Sequence, residues 1–278
     1  MSCSKTFSKQ VLIVSNRQVG PGHHILSMQC APIAKAAKPG QFALLRSPLP
    51  GMPLLNRPFS IYGADARKGG VEFLVKEVGT ATRMLCSQPE GSQVIIIGPL
   101  GQPFEQPKGK RVVLIGGGTG VAPLAFFAQK TAGKGKIQAI IGARSRDLLF
   151  GRDRFPEESL MLVTEDGSEG EKGLPTEILA KMLSNKPKKE PPFAVLACGP
   201  LKMMAEVAEI CRSAGVECQV SLENQLGCGL GACYGCVIPG HEADGSPCWM
   251  RVCTDGPVFA AERIDWKRFP TLPVWGDA

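Results

Sequence analysis

The chain has 278 residues, of which 44% are hydrophobic and 21% charged, an ordinary globular composition that excludes a disordered chain. At about 150 residues per domain this length suggests two domains and a small appendage. The net charge of +7 suits a phosphorylated cofactor, an acidic partner or nucleic acid. The clearest basic cluster, Lys186-Pro187-Lys188-Lys189, has no aromatic residue among its lysines, so it reads as a solvated loop and nucleic acid is not expected. No apolar stretch approaches the ~18 residues of a membrane helix, and no apolar run follows Lys5. The expectation is a cytoplasmic protein with no membrane partner.

Short β-rich runs at 11–19, 25–30, 42–46, 60–63, 71–78 and 94–97 come first, broken by Gly and Pro. Six such runs predict an antiparallel sandwich or barrel. One helix is predicted within it, over 80–87, with threonines at its start that suit an N-cap. Beyond a polar linker at 103–110 the rhythm changes to strand–helix alternation. Strands are predicted at 111–115, 137–141, 160–164 and 193–197, with helices at 121–131, 176–183 and 203–214. That alternation predicts a doubly wound parallel sheet. From Glu223 a Gly/Cys-rich stretch forms a third module with an irregular tail from residue 260. The expected domains are 8–103, 108–222 and 223–278.

Eleven cysteines are an odd count, and Cys228, Cys233, Cys236, Cys248 and Cys253 crowd into 26 residues. Clustering of this kind points to metal rather than to disulfides. Cys228, Cys233 and Cys236 stand in C-x4-C-x2-C spacing, that of plant-type [2Fe–2S] clusters. A loop wrapped so tightly around a cluster calls on Gly229, Gly231 and Gly235 for positive φ, so that backbone N–H groups reach the sulfurs. The fourth thiolate is either Cys248 or Cys253. A four-cysteine zinc site is the competing reading, but it usually shows two short C-x2-C pairs and only one occurs here.

Gly116-Gly117-Gly118-Thr119-Gly120 lies between an apolar strand and a helix, where glycines let the backbone approach a pyrophosphate. No acidic residue follows at the position that would mark NAD, and Arg144 and Arg146 come after the second strand, so NAD and NADP both remain open. Cys198-Gly199-Pro200 ends the fourth strand, where ligands bind in open α/β sheets. Arg57-Pro58-Phe59-Ser60 offers an arginine able to clamp a diphosphate and a serine able to hydrogen-bond an isoalloxazine edge. Gly79-Thr80 opens a predicted helix and offers N–H groups to phosphate. His23-His24 beside Pro21-Gly22 reads as loop, His241 as surface and Met203-Met204 as core filler.

In this order the motifs resemble the ferredoxin–NADP⁺ reductase superfamily. The stretch from Cys228 to Cys236, with Cys253-Thr254-Asp255-Gly256-Pro257-Val258-Phe259, is similar to the electron-transfer subunits of class 1B dihydroorotate dehydrogenase. The resemblance covers residues 8 to 260. It implies a six-stranded FAD-binding barrel, an NAD domain and a [2Fe–2S] module. Arg57, Pro58, Phe59, Ser60, Leu74, Val75, Lys76, Gly79 and Thr80 would bind FAD. Gly116, Gly117, Gly118, Thr119, Gly120, Cys198, Gly199 and Pro200 would bind NAD, with Cys198 beside the nicotinamide. Cys253 would be the fourth cluster ligand. Many relatives have Tyr where Phe59 stands, so that hydroxyl contact is lost. The implied partner is an FMN-containing catalytic subunit that oxidises dihydroorotate in pyrimidine biosynthesis, two copies of each chain assembling. Electrons would then pass through the cluster and FAD to NAD⁺, and the acid/base chemistry on dihydroorotate would belong to the partner. The alternative keeps the cofactors and makes the chain a diaphorase subunit of a hydrogenase, sulfur reductase or transhydrogenase-like complex.

Overall fold

The computed structural model describes residues 6–48, 55–132, 137–185 and 193–269. The basic run at 186–189 and the first five residues lie outside them. Six strands close a barrel in the order β1-β2-β5-β4-β3-β6: β1 (Phe7–Gly20), β2 (His23–Gln29), β3 (Phe42–Arg46), β4 (Arg57–Asp65), β5 (Gly70–Lys76) and β6 (Gln93–Leu100). Strand alternation fills its interior, where Leu26, Met28, Leu45, Ile61, Val71, Phe73, Val75, Val94 and Ile96 are all buried. His23 and His24 are not loop, as the sequence suggested. Pro21 and Gly22 alone make the hairpin turn, with Gly22 at φ 60, so both histidines begin β2, paired with Lys76 and Val75.

Two helices accompany the barrel where one was expected. The unpredicted one, α1 (Ala31–Ala36), carries a proline in its first turn and buries Ile33 and Ala34. The expected one, α2 (Thr80–Cys86), is started by the Thr82 hydroxyl, which accepts the N–H groups of Val78 and Gly79 at 2.8 and 3.0 Å.

The second sheet runs in the order β10-β9-β8-β7-β11-β12-β15. Its parallel strands are β7 (Arg111–Gly117), β8 (Ile137–Ala143), β9 (Leu160–Thr164), β10 (Glu171–Lys172), β11 (Phe193–Cys198) and β12 (Glu217–Ser221). Helices α3 (Val121–Thr131), α4 (Pro175–Ser184) and α5 (Leu201–Ser213) connect them. The C-terminal module carries strands that the sequence did not announce. It holds a hairpin, β13 (Val237–His241) with β14 (Pro247–Arg251), and its β15 (Val258–Ala260) pairs antiparallel with the edge of β12. The cluster module is thus sewn onto the sheet rather than appended to it.

Shared cores bind the parts together. One face of the sheet packs with α4 and α5 and continues into Cys236, Ile238, Met250, Val252, Phe259 and Phe269 of the last module. The other face covers α3, which is buried nearly all round because the barrel lies on its far side. Phe126 leaves the sheet's core and joins the barrel's. Polar contacts cross the same seam: Arg154 bonds Glu72 at 2.8 Å and lies 4.6 Å over the Tyr62 ring, and His23 lies 4.5 Å from the ring of Phe150. Truncation of Phe126 to Ala should cost about 3–5 kcal/mol, because the cavity lies between two rigid bodies that cannot both collapse into it. Chemical denaturation measures this, and a loss below about 1 kcal/mol would contradict the placement.

Candidate functional site

The turn from β7 to α3 and the turn from β11 to α5 meet backbone to backbone at the carboxyl ends of their strands, where open α/β sheets take their ligands. A Cβ on Gly120 would sit 2.4 Å from the Cys198 carbonyl oxygen, so only glycine permits this approach. Gly118 has φ +54 and nothing within 4 Å of its Cβ direction, so its side faces open space. A peptide turn bared in this way at a helix start fits a pyrophosphate. Gly116 and Gly117 pack against Leu124, Ile141, Pro200 and Met203, while Gly199 fits under Met203 and beside Gly117. Thr119 lies in the 3₁₀ turn between them.

Cys198 is fully buried beneath this turn. Burial pushes its thiol well up, the charge of Glu223 adds to that, and a hydrogen bond with Ser221 opposes it. Glu223 keeps solvent access on one side and is crowded by protein on the other. That crowding raises its carboxyl above the usual range, with Lys76 of the barrel pulling it down. Lys76, Cys198, Ser221 and Glu223 therefore share one electrostatic neighbourhood across the domain seam. Lys76 and Cys198 stand out in the sequence, whereas Ser221 and Glu223 carry no signal beyond a place at or just past the carboxyl end of β12.

On the barrel side, Arg57, Pro58, Phe59 and Ser60 form the half-exposed start of β4, in contrast to the buried Ile61–Ala64 that follows. Arg57 lines a cleft of about 230 Å³ with Val78, Gly79, Thr80, Ala81 and Thr82. A guanidinium facing a helix start suits a diphosphate. The β5 residues divide by face. Leu74 turns out toward the nucleotide domain, whereas Val75 points into the barrel, so its backbone alone is available to a ligand.

Four free thiols converge in the third module as two couples. Cys228 lies beside Cys233, whose sulfur accepts the Cys228 N–H at 3.3 Å, and Cys236 lies beside Cys253. Among the described residues no three of these sulfurs lie mutually within 4.8 Å, whereas a tetrahedral zinc site would bring all four to about 3.8 Å of one another. Two couples fit two bridged irons. Backbone N–H groups reach the sulfurs: Leu230 and Ala232 donate to Cys228 at 3.3 Å each, and Gly235 donates to Cys233 at 3.4 Å. The Leu230 N–H first, then the backbone and side chain of Cys233 and the Ala232 N–H, bring the Cys228 thiol down to about 6 against the opposing effect of burial. Gly229 and Gly231 take positive φ as expected, but Gly235 does not; Tyr234 takes φ 56 instead. Arg251 holds the loop from behind. It pairs with Asp255 at 3.0 Å, donates to the Gly231 carbonyl at 3.4 Å and lies 5.4 Å over the Tyr234 ring.

Two family matches fall on these same elements: the iron–sulfur cluster binding domain of dihydroorotate dehydrogenase B over residues 223–265, and the oxidoreductase NAD-binding domain over 114–209. The dihydroorotate dehydrogenase B (NAD(+)) electron transfer subunit of Desulforamulus reducens is 34% identical over 269 residues, covering 95% of this chain and 100% of its own. The chain belongs to this electron-transfer subunit family. Its counterpart from Caldanaerobacter subterraneus is also 34% identical, over 91% of this chain and 96% of its own. Among solved structures, one chain of an NADH-dependent reduced ferredoxin–NADP oxidoreductase, studied for flavin-based electron bifurcation, superposes with a TM-score of 0.81 at 29% identity over 94% of this chain and 91% of that one. The ferredoxin reductase of carbazole 1,9a-dioxygenase shares the fold, at 20% identity over 76% of this chain and 67% of that one, with a TM-score of 0.65.

The two candidates for the fourth thiol differ in position. Cys248 lies across from Gly240 at the far end of the hairpin, and its surroundings are Glu242 and Arg263 rather than the other thiols. We expect Cys253→Ser to lose the iron and acid-labile sulfide of the purified protein and Cys248→Ser to keep both. Elemental analysis of the two variants decides it, and the reverse pattern would refute the pairing of Cys253 with Cys236.

Proposed function

We propose that this chain is the electron-transfer subunit of an NAD⁺-linked dihydroorotate dehydrogenase, taking electrons from an FMN-bearing catalytic subunit that oxidises dihydroorotate. The observation that carries the reading is the convergence, in one chain with continuous cores, of a two-couple cysteine site, an arginine cleft on a barrel and a glycine turn over a parallel sheet. In this reading Cys228, Cys233, Cys236 and Cys253 hold the [2Fe–2S] cluster. Arg57 and the N–H groups at Gly79 and Thr80 hold the FAD diphosphate, while Ser60, Phe59, Pro58, Leu74, Lys76 and the backbone of Val75 flank its ring. The Gly116–Gly120 turn, with Cys198, Gly199 and Pro200, receives NAD. Bound flavin supplies the exchange between one-electron transfer at the cluster and hydride transfer at nicotinamide.

The residues around that exchange orient and exclude water rather than move protons. Cys198 stays a neutral thiol, since burial and the Glu223 charge both disfavour its thiolate. It fills the space beneath the turn as a small, uncharged group. Lys76 and Glu223 balance one another there. In this reading the acid/base step on dihydroorotate belongs to the partner. The assembly is two of each chain, and the module's exposed face, with Leu230, Tyr234 and Trp249 outward, is where the partner's flavin approaches.

Mixing this chain with a class 1B catalytic subunit should give a stable complex and dihydroorotate-dependent reduction of NAD⁺. Size-exclusion chromatography and nicotinamide absorbance read the two results. Absence of both, with cofactors loaded, would refute the reading and favour a diaphorase role with another partner.

A further inference from the structure

A second group of metal-ligand side chains lies at the mouth of the barrel beneath α2, away from the cysteine module. His24 Nε2 is 3.3 Å from Glu77 Oε1, and a ring nitrogen of His24, a carboxylate oxygen of Glu77 and the Cys86 sulfur all lie within 4.8 Å of one another. His24 comes from β2, Glu77 from the segment between β5 and α2, and Cys86 from the last turn of α2.

The hydrogen on Nδ1 of the imidazole is placed by its neighbour. Asn16 donates from Nδ2 to the carbonyls of Cys86 and Gln88, at 2.7 Å each. Turning that amide over would set its oxygen against two carbonyl oxygens, so Oδ1 must face His24, whose Nδ1 lies 2.8 Å away and donates to it. The Nε2 of a neutral ring then presents a lone pair to the Glu77 carboxylate. Two electron-rich atoms at that distance repel unless a cation joins them. A proton satisfies the pair alone, but it gives no reason for the buried Cys86 thiol at the back of the same space.

We propose that His24, Glu77 and Cys86 bind a thiophilic divalent cation, zinc foremost, with water completing the tetrahedron. Nitrogen, oxygen and sulfur at one point are a zinc ligand set, and Asn16 provides the second hydrogen bond that orients a ligating imidazole. Access is from solvent, since the His24 and Glu77 side chains are 15% and 31% exposed while Cys86 closes the back. Burial, with the charge of Glu77, pushes the Cys86 thiol up to about 12, so the empty site holds S–H. On binding, the metal–sulfur bond replaces S–H and the proton leaves to water, with no change of oxidation state. Occupancy ties Glu77, just before α2, and Cys86, its last residue, to the barrel wall, and so stiffens the segment that lines the Arg57 cleft.

The test uses protein loaded with flavin and iron, equilibrated with zinc sulfate and then dialysed. We expect roughly one zinc per chain, with a zinc-edge absorption spectrum showing one sulfur and three lighter ligands. His24→Gln and Cys86→Ala should each weaken zinc binding at least about tenfold, with iron content unchanged. His24 is partly exposed, so His24→Gln serves if Cys86→Ala does not fold. Zinc in a four-sulfur environment, zinc retained equally by wild type and His24→Gln, or no zinc retained after dialysis would each overturn the proposal, the last leaving a simple histidine–glutamate ion pair.

Discussion

The turn at residues 254–257 ties together all three parts of the chain. Gln102, where the barrel ends, donates its N–H to the Gly256 carbonyl at 2.6 Å and its side-chain amide to the Thr254 carbonyl at 3.0 Å. Leu222, at the end of β12, donates to the Pro257 carbonyl at 2.9 Å. Cys253 precedes the turn and β15 follows it. Gly101 lies so close that a Cβ there would sit 2.4 Å from Pro257 Cδ. Electron transfer weakens steeply with separation, so a relay needs its centres at a fixed spacing. This joint sets the spacing by hydrogen bonds and contact rather than by a linker.

The two apolar cores that meet at the sheet serve the same end. Burial of α3 between barrel and sheet makes the seam that carries Lys76, Cys198 and Glu223 a packed interface, not a hinge. Packed interfaces hold one arrangement because their side chains interdigitate at near-crystalline density. The cluster loop instead relies on polar ties. Arg251 gathers Asp255, Gly231 and Tyr234, and the positive φ of Tyr234 is backbone strain that those ties hold in place.

Much of this was legible in the residues. The barrel, the strand–helix alternation and the cysteine spacing each follow from local periodicity or local ligand chemistry, and the structure sets them where the sequence put them. Long-range pairing was not legible. The short Val258–Ala260 run has no meaning until it meets the edge of β12, and Glu217–Ser221 reads as polar until it is covered. His23 and His24 look like loop beside Pro21-Gly22, but the turn takes only those two residues and the strand starts at once. Tyr234 taking the left-handed conformation in place of Gly235 reflects a tertiary tie to Arg251 that no local propensity encodes. Ser221 and Glu223 gain their meaning from proximity to Cys198 across the fold.

The central claim is that one chain couples a two-iron centre to a nicotinamide site. Its most direct test is anaerobic titration of the purified protein with NADH, followed by optical absorption and electron paramagnetic resonance. The account requires flavin bands over an iron–sulfur envelope, bleaching of both, and the signal of a reduced [2Fe–2S] centre. Bleaching of flavin alone while the cluster stays oxidised, or zinc in place of iron at the four cysteines, would contradict it.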